Sequence, residues 1–289
     1  MRGTPHPGFP SVRTRLFGLV GHPVSHSLSP AMQNAGFRAA GIDAAYAAFD
    51  VPAEGLPAAL AGARALGFGG LNVTVPHKEG ALALAAEADP VAALAGAANT
   101  LVPVAAGWRA CNTDVDGFLS AIREGLDMDP AGRRCLVLGA GGSARAVAVA
   151  LVRAGAQEIF VANRNEERAE GLVRELRQRC GTERVARVAL EAAPQRLGPE
   201  GLLVSATPLG LSESGRWPWD LARFDPGTAA FDLAYRAGGE TQLVVQARAR
   251  GLRAASGLAM LLHQGALAFA LWTGRPAPLA AMRRGLLQI

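Results

Sequence analysis

The feature that most constrains the fold is one segment at residues 135–165, which reads CLVLGAGGSARAVAVALVRAGAQEIFVANRN. A short apolar run leads into a cluster of glycines, and an apolar stretch of helical character then continues to Gly155, where a second apolar run begins. This order predicts a strand over 135–138, a helix over 144–154 and another strand. Such βαβ units build parallel sheets with helices on their faces, so the segment predicts an α/β protein.

The composition supports a folded chain with more than one domain. The chain has 289 residues, and at roughly 150 residues per domain two domains are expected. Half of the residues (50%) are hydrophobic and only 18% are charged, which excludes a largely disordered protein.

The cysteines and the apolar segments indicate where such a protein works. The chain has three cysteines, Cys111, Cys135 and Cys180, an odd number, and no two of them form a CxxC pair. This argues against a disulfide framework and a structural metal site. The first 15 residues lack the apolar stretch of a signal peptide, and the apolar run at 258–274 is interrupted and too short to span a membrane. We therefore expect a cytoplasmic protein that holds no metal and does not insert into a membrane.

The charge pattern argues against a nucleic-acid partner and draws attention to one residue. The net charge is +5, but the arginines are scattered and no basic run is interleaved with aromatic residues. Of the 29 basic residues, 28 are arginine, and Lys78 is the only lysine. A lysine amine is compact and can lose its proton, unlike a guanidinium, so Lys78 is a candidate for proton transfer.

The order of patterns along the chain predicts two domains after a flexible tail at residues 1–15. A nucleotide-binding domain is expected at 115–256, and residues 16–114 and 257–289 are expected to fold together as the other domain. In the first part, Ser29 is the predicted N-cap of a helix that Pro30 begins, since serine suits the cap and proline the first turn. The final segment predicts a helix from Leu258 to Trp272.

The glycine turn is the candidate site for a dinucleotide. Gly139, Gly141 and Gly142 lie where the predicted strand meets the predicted helix. Small residues there let the backbone approach a pyrophosphate, and the helix N-terminus offers free N–H groups. A tight strand–helix turn without a nucleotide is the alternative, and the surrounding βαβ pattern favours the dinucleotide.

The end of the second strand indicates which dinucleotide binds. NAD sites usually carry a carboxylate there for the ribose 2′-hydroxyl, but this chain has Asn163, Arg164 and Asn165, with Arg168 one turn further on. Two guanidiniums suit the 2′-phosphate of NADP. The alternative is that both arginines are ordinary solvated residues at the start of a helix.

Polar residues occur in clusters outside the nucleotide domain, where apolar residues dominate. Taken singly, each has a structural explanation, such as a helix cap or a turn. Together they describe a site rich in neutral hydrogen-bonding groups, with one amine and one carboxylate, which suits a small polyhydroxylated acid. These residues are Ser27, Ser29, Asn72, Thr74, Lys78, Asn99, Asn112, Asp114 and Gln264.

Eight motifs in order along the chain resemble the shikimate dehydrogenase family, over the range from Leu16 to Gly274. The motifs are HSLSP at 26–30, LNVTVPHK at 71–78, AANTL at 97–101, NTDVDG at 112–117, GAGGSARA at 139–146, NRNEER at 163–168, ATPLG at 206–210 and GLAMLLHQGALAFALWTG at 257–274. The resemblance implies an α/β substrate-binding domain with a mixed, mainly parallel sheet and a Rossmann-type NADP domain, with the C-terminal helices returning to the first domain. The eight motifs occur in the same order and differ in composition, which makes a chance match implausible.

The resemblance also implies roles for individual residues. Lys78 would be the acid/base residue with Asp114 as its partner, and Ser27 and Ser29 would bind the substrate carboxylate, with Tyr235 close to it. The ring hydroxyls would be held by Thr74, Asn99, Asp114 and Gln264. NADP would be contacted by Gly139, Ala140, Gly141, Gly142, Ser143, Asn163, Arg164, Asn165, Arg168, Leu233, Gly257 and Met260.

The implied reaction is the NADP-dependent, reversible reduction of 3-dehydroshikimate to shikimate, which belongs to chorismate and aromatic amino acid biosynthesis. Hydride would pass at the nicotinamide while Lys78 exchanges the proton of the reacting hydroxyl. The implied partner is this small-molecule substrate; the sequence leaves open whether the chain also forms a homodimer.

Three alternatives remain beside this function. A quinate or quinate/shikimate dehydrogenase would share the fold, but the serine pair favours shikimate and the Asn163–Arg164 end favours NADP. A glutamyl-tRNA reductase would need a catalytic cysteine near its N-terminus, and the first cysteine here is Cys111. A non-catalytic NADPH-binding regulator would be expected to lack Lys78 or Asp114, and both are present.

Overall fold

The structure is a computed structural model that describes residues 11–209, 217–236 and 238–287. Two sequence predictions reach beyond these ranges. The first ten residues of the tail expected at 1–15, and Gly210 of the ATPLG motif, lie outside the described residues.

The first half of the chain forms a six-stranded mixed sheet. Its order is β2-β1-β3-β5-β6-β4, and β5 runs antiparallel to β3 and β6 while the other neighbours are parallel. The sequence predicts a mixed, mainly parallel sheet here, which is confirmed. The strands are β1 (Arg15–Gly21), β2 (Ala44–Asp50), β3 (Gly70–Val73), β4 (Glu87–Ala88), β5 (Thr100–Val104) and β6 (Gly107–Cys111).

Helices connect and flank these strands. The first of them begins at Ser29, one residue earlier than predicted, and its N-cap is Leu28, whose near-helical backbone (φ −85°, ψ −4°) makes no side-chain cap. The prediction that Ser29 caps this helix is therefore wrong, because Ser29 is already the first residue of the helix. The helices are α1 (Ser29–Ala39), α2 (Leu56–Ala65), α3 (Lys78–Ala83), α4 (Pro90–Ala95) and α5 (Asp114–Leu126), with a 3-10 turn at Ala53–Gly55.

The second sheet is entirely parallel and confirms the Rossmann-type prediction. Its order is β12-β11-β10-β7-β8-β9, so the chain starts in the middle, builds outward to β9 and then returns to build the other half. Ligands bind such sheets at the carboxyl ends of the strands, where the order reverses between β7 and β10. The strands are β7 (Arg134–Leu138), β8 (Glu158–Ala162), β9 (Val185–Arg187), β10 (Leu202–Ser205), β11 (Ala229–Asp232) and β12 (Arg253–Ser256).

Helices cover both faces of the second sheet. Successive residues of β7 point to opposite faces: Cys135 and Val137 join one buried cluster, and Leu136 and Leu138 join the other. Both faces are buried, which explains why this strand appears in the sequence as a continuous apolar run. The helices are α6 (Gly142–Arg153), α7 (Glu166–Cys180), α8 (Ala193–Leu197) and α9 (Gln242–Ala249), with 3-10 turns at Leu190–Ala192 and Leu221–Arg223.

The last two helices, α10 (Leu258–Thr273) and α11 (Leu279–Leu287), return to the first sheet as predicted. Trp272 on α10 packs against Phe17 of β1 at 5.3 Å between ring centroids, and its indole N–H donates to the carbonyl of Leu101 at 3.1 Å. Met260, near the start of the same helix, belongs to the core of the second sheet. Thus α10 contacts both sheets. None of the helices in the described ranges is long and apolar enough to cross a membrane.

Candidate active site

The centre of the candidate site is a buried ion pair between Lys78 and Asp114. Lys78 is the first residue of α3, just beyond the turn after β3, and Asp114 is the first residue of α5. The Lys78 ammonium donates to Asp114 Oδ2 at 2.6 Å, and the two side chains are 9% and 6% exposed. The positive end of the α5 helix dipole also favours the Asp114 carboxylate. This pair places one proton-carrying amine in a largely water-free setting.

Asn99 connects this pair to two further segments of the chain. Its amide nitrogen donates to Asp114 Oδ1 at 2.9 Å and lies 3.1 Å from Gln264 Oε1 on α10. Its amide oxygen accepts from the backbone N–H of Thr113 at 2.7 Å. The structure therefore brings four of the predicted residues, Lys78, Asn99, Asp114 and Gln264, into one cluster.

A second layer of polar residues supports Asn99, and sequence reasoning found only part of it. Asn72 donates to the Asn99 carbonyl at 3.2 Å and to Thr100 Oγ1 at 3.1 Å, and it accepts from the Tyr46 hydroxyl at 2.8 Å. Tyr46 is fully buried, which raises its pKa well above 10.0 and keeps the hydroxyl protonated as a donor.

Asn112, singled out in the sequence, belongs to the same layer. It accepts from the Asp114 N–H at 3.1 Å and donates to the Ala97 carbonyl at 2.8 Å. Tyr46, Thr100 and Thr113 were not predicted. Thr100 and Thr113 lie inside the AANTL and NTDVDG motifs, which was the available signal, whereas nothing local distinguishes Tyr46.

The two predicted serines and Tyr235 lie together. Ser29 is buried at the start of α1, whose N-terminus has no side-chain cap, and its N–H is 3.3 Å from Ser27 Oγ. Burial raises the pKa of Tyr235, an effect partly offset by hydrogen bonds with the Leu28 backbone and the Ser27 side chain. Helix N–H groups beside two serine hydroxyls are suited to a carboxylate.

Thr74 is placed differently from the other predicted substrate residues. It follows β3, its N–H donates to the Val20 carbonyl at 2.9 Å, and its methyl fills the space beside Gly21. Across the described ranges, no hydrogen bond joins its hydroxyl to the Lys78 cluster or to the serines.

The turn between β7 and α6 has the properties that a pyrophosphate requires. Gly139 has φ +120°, and a Cβ there would lie 2.8 Å from the Ala206 carbonyl oxygen, so only glycine fits. Gly141 is the N-cap of α6 with no side-chain cap, and a Cβ there would meet nothing within 4 Å. The first turn of α6 therefore has N–H groups without a side-chain cap and open space beside Gly141, which fits an anionic group such as the phosphates of a dinucleotide.

The end of β8 carries the two arginines that the sequence assigns to the 2′-phosphate. Asn165 caps α7 by accepting from the Arg168 N–H at 2.9 Å, and Asn163 donates to the Asn165 carbonyl at 2.9 Å. Arg164 and Arg168 are exposed and make no ion pair within the part of the chain that the structure describes. Nearby, Glu166 is paired with Arg187 at 3.0 Å. Two unpaired guanidiniums at this point fit a phosphate.

Leu233 and Gly257 directly follow β11 and β12 at the carboxyl edge of the second sheet, and Met260 lies at the start of α10. Leu233 follows β11 and its N–H donates to the Ser205 carbonyl at 2.8 Å, while a Cβ on Gly257 would lie 1.9 Å from the Leu233 carbonyl oxygen. Gly257 is therefore required where α10 begins. Met260 is buried one turn later. Among the described residues, no group of three or more His, Cys, Asp or Glu side chains is arranged to hold a metal ion.

Three family models match the chain in succession. A model described as the shikimate dehydrogenase substrate binding domain matches residues 19–101. One described as shikimate / quinate 5-dehydrogenase matches residues 123–209, and one described as the shikimate 5′-dehydrogenase C-terminal domain matches residues 257–287. These matches cover most strands of the first sheet, β7 to β10 of the second sheet and the returning helices.

Individual relatives resemble the chain over nearly its full length. A shikimate dehydrogenase (NADP(+)) of Rubrobacter xylanophilus is 48% identical over 276 residues, which cover 94% of this chain and 95% of the relative. The structure of shikimate 5-dehydrogenase from Thermus thermophilus in complex with NADP(H) and shikimate has a TM-score of 0.82 and 40% identity, covering 94% of this chain and 98% of that one. Quinate dehydrogenase from Corynebacterium glutamicum in complex with NAD has a TM-score of 0.86 and 34% identity, with 96% and 99% of the two chains covered.

Proposed function

The chain belongs to the shikimate dehydrogenase family, and on that premise we propose that it catalyses the NADP-dependent, reversible reduction of 3-dehydroshikimate to shikimate. This reaction would place it in chorismate and aromatic amino acid biosynthesis. The observation that carries the proposal is the buried Lys78–Asp114 pair, which lies against the uncapped glycine turn at the start of α6. A proton carrier and a dinucleotide turn at one place are what a carbonyl reduction needs.

Lys78 is the proposed acid/base residue. In the reducing direction its ammonium donates a proton to the substrate oxygen as the carbonyl becomes a hydroxyl, and in the oxidising direction its amine accepts that proton. Asp114 holds the amine in place and balances its charge while it is protonated. NADP(H), when bound, supplies or takes up the hydride at its nicotinamide.

The remaining polar residues are proposed to bind the substrate. Ser27, Ser29 and the first N–H groups of α1 would bind the carboxylate, with Tyr235 beside them. Ring hydroxyls would be held by Thr74, Asn99, Asp114 and Gln264. Buried polar groups of this kind strongly reject an analogue that lacks the matching hydroxyl, because they would be left without a partner.

Residues at the carboxyl edge of the second sheet are proposed to hold NADP. The N–H groups of the glycine turn would take the pyrophosphate, and Arg164 and Arg168 the 2′-phosphate. Leu233, Gly257 and Met260 would line the nicotinamide end. The contacting residues would be Gly139, Ala140, Gly141, Gly142, Ser143, Asn163, Arg164, Asn165, Arg168, Leu233, Gly257 and Met260.

Three broader features are part of the same proposal. The domain limits would be 16–114 with 257–289 for the substrate domain and 115–256 for the NADP domain, in keeping with the two sheets. The three thiols are free, which suits a reducing cytoplasm. Burial raises the pKa of Cys135 to about 12, so this thiol is unreactive. A homodimer is the assembly we propose to look for, by light scattering of the purified protein.

A quinate dehydrogenase is the second candidate, because a quinate dehydrogenase shares the fold with a TM-score of 0.86. The first experiment crosses shikimate and quinate with NADP and NAD and follows the absorbance of the reduced nicotinamide. Reduction of NADP by shikimate alone is expected. Turnover of quinate, or a preference for NAD, would favour the second candidate. NADPH binding with no turnover of either substrate would instead indicate a non-catalytic, regulatory protein.

A further inference from the structure

The Lys78 amine has a second partner, Ser143, which lies in the first turn of α6. The ammonium donates to Ser143 Oγ at 2.9 Å, in addition to the bond to Asp114 at 2.6 Å. The two partners come from different elements, because Asp114 begins α5 and Ser143 lies on the helix that follows the glycine turn. One amine is therefore held from two sides.

The surroundings of this contact are tightly packed. A Cβ on Gly142 would lie 3.0 Å from Lys78 Cβ and 3.2 Å from Lys78 Cδ, so the stem of the lysine rests against the α6 turn. Arg145 lies two residues after Ser143 on α6. Its Nε is 3.5 Å from Oε1 of Glu79, the residue that follows Lys78, and it also pairs with Glu175 at 2.7 Å. The first turns of α3 and α6 thus contact each other through backbone, hydroxyl and ion pair.

The number of N–H donors on an ammonium group explains how the hydrogen bond to Ser143 can orient the Lys78 amine. A lysine ammonium has three N–H donors and no acceptor. With Asp114 and Ser143 taking two of them from different directions, the orientation of the Cε–Nζ bond is fixed, and one N–H remains for another acceptor. With Asp114 alone, the amine could turn about that single hydrogen bond, and the direction of the remaining donors would vary.

We propose that Ser143 is a positioning residue for Lys78: its hydroxyl, together with Asp114, orients the amine so that one N–H is directed to the reacting oxygen of the substrate. This inference rests on the proposed function of Lys78 in proton transfer. Because Ser143 belongs to the turn that would hold the cofactor, the amine is fully oriented only when this turn lies against α3. Proton transfer is thereby coupled to the placement of the cofactor-binding turn.

The kinetic test compares three variants with the wild type. Ser143→Ala removes the hydroxyl, and Ser143→Thr keeps it. Ser120→Ala is the matched control, since Ser120 also lies in a helix, but its hydroxyl donates to its own helix at the Asp116 carbonyl at 2.9 Å. A misdirected proton donor costs about 10- to 100-fold in kcat. We expect that loss for Ser143→Ala with little change in the KM of shikimate, recovery in Ser143→Thr, and wild-type kinetics in Ser120→Ala.

A merely structural role for Ser143 makes a different prediction. If Ser143 only stabilised the fold, Ser143→Ala would lower the melting temperature together with kcat. The positioning role predicts a lower kcat at an unchanged melting temperature, because alanine is the better helix former. Should Ser143→Ala keep the wild-type kcat, or should Ser143→Thr be as impaired as Ser143→Ala, the positioning role is wrong.

A direct measurement uses the fact that Lys78 is the only lysine of the chain. Protein labelled with ¹³C-lysine gives one set of side-chain signals, and the two Hε protons are distinct while the side chain is held in one orientation. We expect two separate Hε signals in the wild type and in Ser143→Thr, and one averaged signal in Ser143→Ala. Two unchanged signals in Ser143→Ala would overturn the inference.

The spectra do not depend on turnover, so the two proposals can fail separately. A wild type that turns over neither shikimate nor quinate, yet whose Hε signals merge on removal of the Ser143 hydroxyl, would refute the proposed function and leave the positioning of Lys78 intact. An active wild type with an unaffected Ser143→Ala variant would do the reverse.

Discussion

At the scale of single residues, the roles of Lys78 and Asp114 are open to direct test, because the amine and the carboxylate are each supplied by one side chain. We predict that Lys78→Ala lowers kcat by about 10²- to 10⁴-fold, the usual contribution of a positioned acid/base group, and raises the KM of shikimate far less. Steady-state kinetics in both directions provide the measurement. Activity that survives intact would remove Lys78 from proton transfer.

The same variant needs a control for folding. Removing the amine leaves the buried Asp114 carboxylate without its partner, which is destabilising. Lys78→Arg keeps the charge but carries a guanidinium that does not release its proton, so it should fold better than Lys78→Ala and remain inactive. Thermal unfolding of both variants separates lost chemistry from lost structure.

Asp232, at the end of β11, is a buried carboxyl that the proposed mechanism does not use. Its Oδ1 accepts from the Ala234 N–H at 3.2 Å, and its Oδ2 accepts no hydrogen bond from any residue that the structure describes. Burial raises the pKa of Asp232 from 3.8 to about 6, and the Ala234 N–H, which donates to Oδ1, offsets this only in part. The folded state therefore binds the proton more tightly than the unfolded state.

This shift gives a signed prediction for stability. The contribution of Asp232 is fully present below about pH 4 and is lost as the pH rises to about 6, and at about 1.4 kcal/mol per pKa unit the loss is about 3 kcal/mol. Asp232→Asn should lack this loss. The unfolding free energy of the variant should therefore rise relative to that of the wild type between these pH values. Urea denaturation at a series of pH values tests this, and parallel curves for the two proteins would contradict it.

At the scale of elements, the turn before α6 and the turn before α10 use glycine for different reasons. A Cβ on Gly141 would meet nothing within 4 Å, whereas a Cβ on Gly257 would lie 1.9 Å from the Leu233 carbonyl oxygen. We predict that Gly141→Ala keeps the stability of the wild type but weakens NADPH binding, since the methyl enters the space proposed for the phosphates. Gly257→Ala should lower the melting temperature as well, because the backbone must move.

Calorimetric titration of NADPH and thermal unfolding of both variants provide the measurements. Undiminished NADPH binding by Gly141→Ala would mean that the phosphates lie elsewhere.

The start of α7 is the element proposed to select the cofactor. Replacing both Arg164 and Arg168 with alanine removes charge-assisted bonds worth about 1.5–3 kcal/mol each, so the KM of NADP should rise at least about 100-fold while the KM of NAD changes little. Arg174→Ala is the control, because Arg174 is exposed further along the same helix. An equal rise for both cofactors would indicate that the two arginines do not recognise the 2′-phosphate.

At the scale of the whole molecule, three helices that are distant in sequence are joined by one carboxylate. Glu124 on α5 binds Arg283 on α11 through two hydrogen bonds of 2.7 and 2.9 Å, and His263 on α10 at 2.8 Å. The hydrogen bond from Arg283 is the main cause that lowers the pKa of Glu124 to about 2; burial, the next largest effect, opposes it, and the hydrogen bond from His263 adds to the lowering. This cluster fastens the C-terminal helices to the helix between the two sheets.

The pH dependence of stability that Glu124 causes is opposite in sign to that of Asp232. The stability contributed by Glu124 is present above about pH 4.5 and is lost as the pH falls towards 2. Because the carboxylate is 36% exposed, screening by water reduces the effect, and we predict that Glu124→Gln costs about 1 kcal/mol at neutral pH. The difference between variant and wild type should vanish towards pH 2 in denaturant titrations. A constant difference at all pH values would show that the charge is not the cause.

The predictability of the fold differed between the two sheets. The parallel second sheet was predicted, since its buried strands and the glycine turn carry their own local patterns. The order of strands in the first sheet was not, because the pairing of β1 with both β2 and β3 depends on contacts between distant segments. The cap assigned to Ser29 was wrong, since the helix already includes Ser29 and the cap position belongs to Leu28, an apolar residue buried in the core.

For the site, the motifs determined which residues to examine, and the structure determined how they meet. Lys78, Asp114 and Asn99 were all identified from the sequence, yet the support from Tyr46 through Asn72 was not, because a buried tyrosine in an apolar strand resembles any other core aromatic.

The sequence by itself determined the α/β class, the Rossmann-type half, the dinucleotide turn and the family, because each of these depends on residues that are close together in the chain. The pairing of Lys78 with Asp114, 36 residues later, was expected only from the family resemblance, and the tertiary structure alone decided that the same amine also meets Ser143, 65 residues later. The physical reason is that hydrogen bonds extend only about 3 Å. Whether residues so far apart in sequence come within that distance depends on how α3, α5 and α6 pack between the two sheets, and no local pattern records that packing.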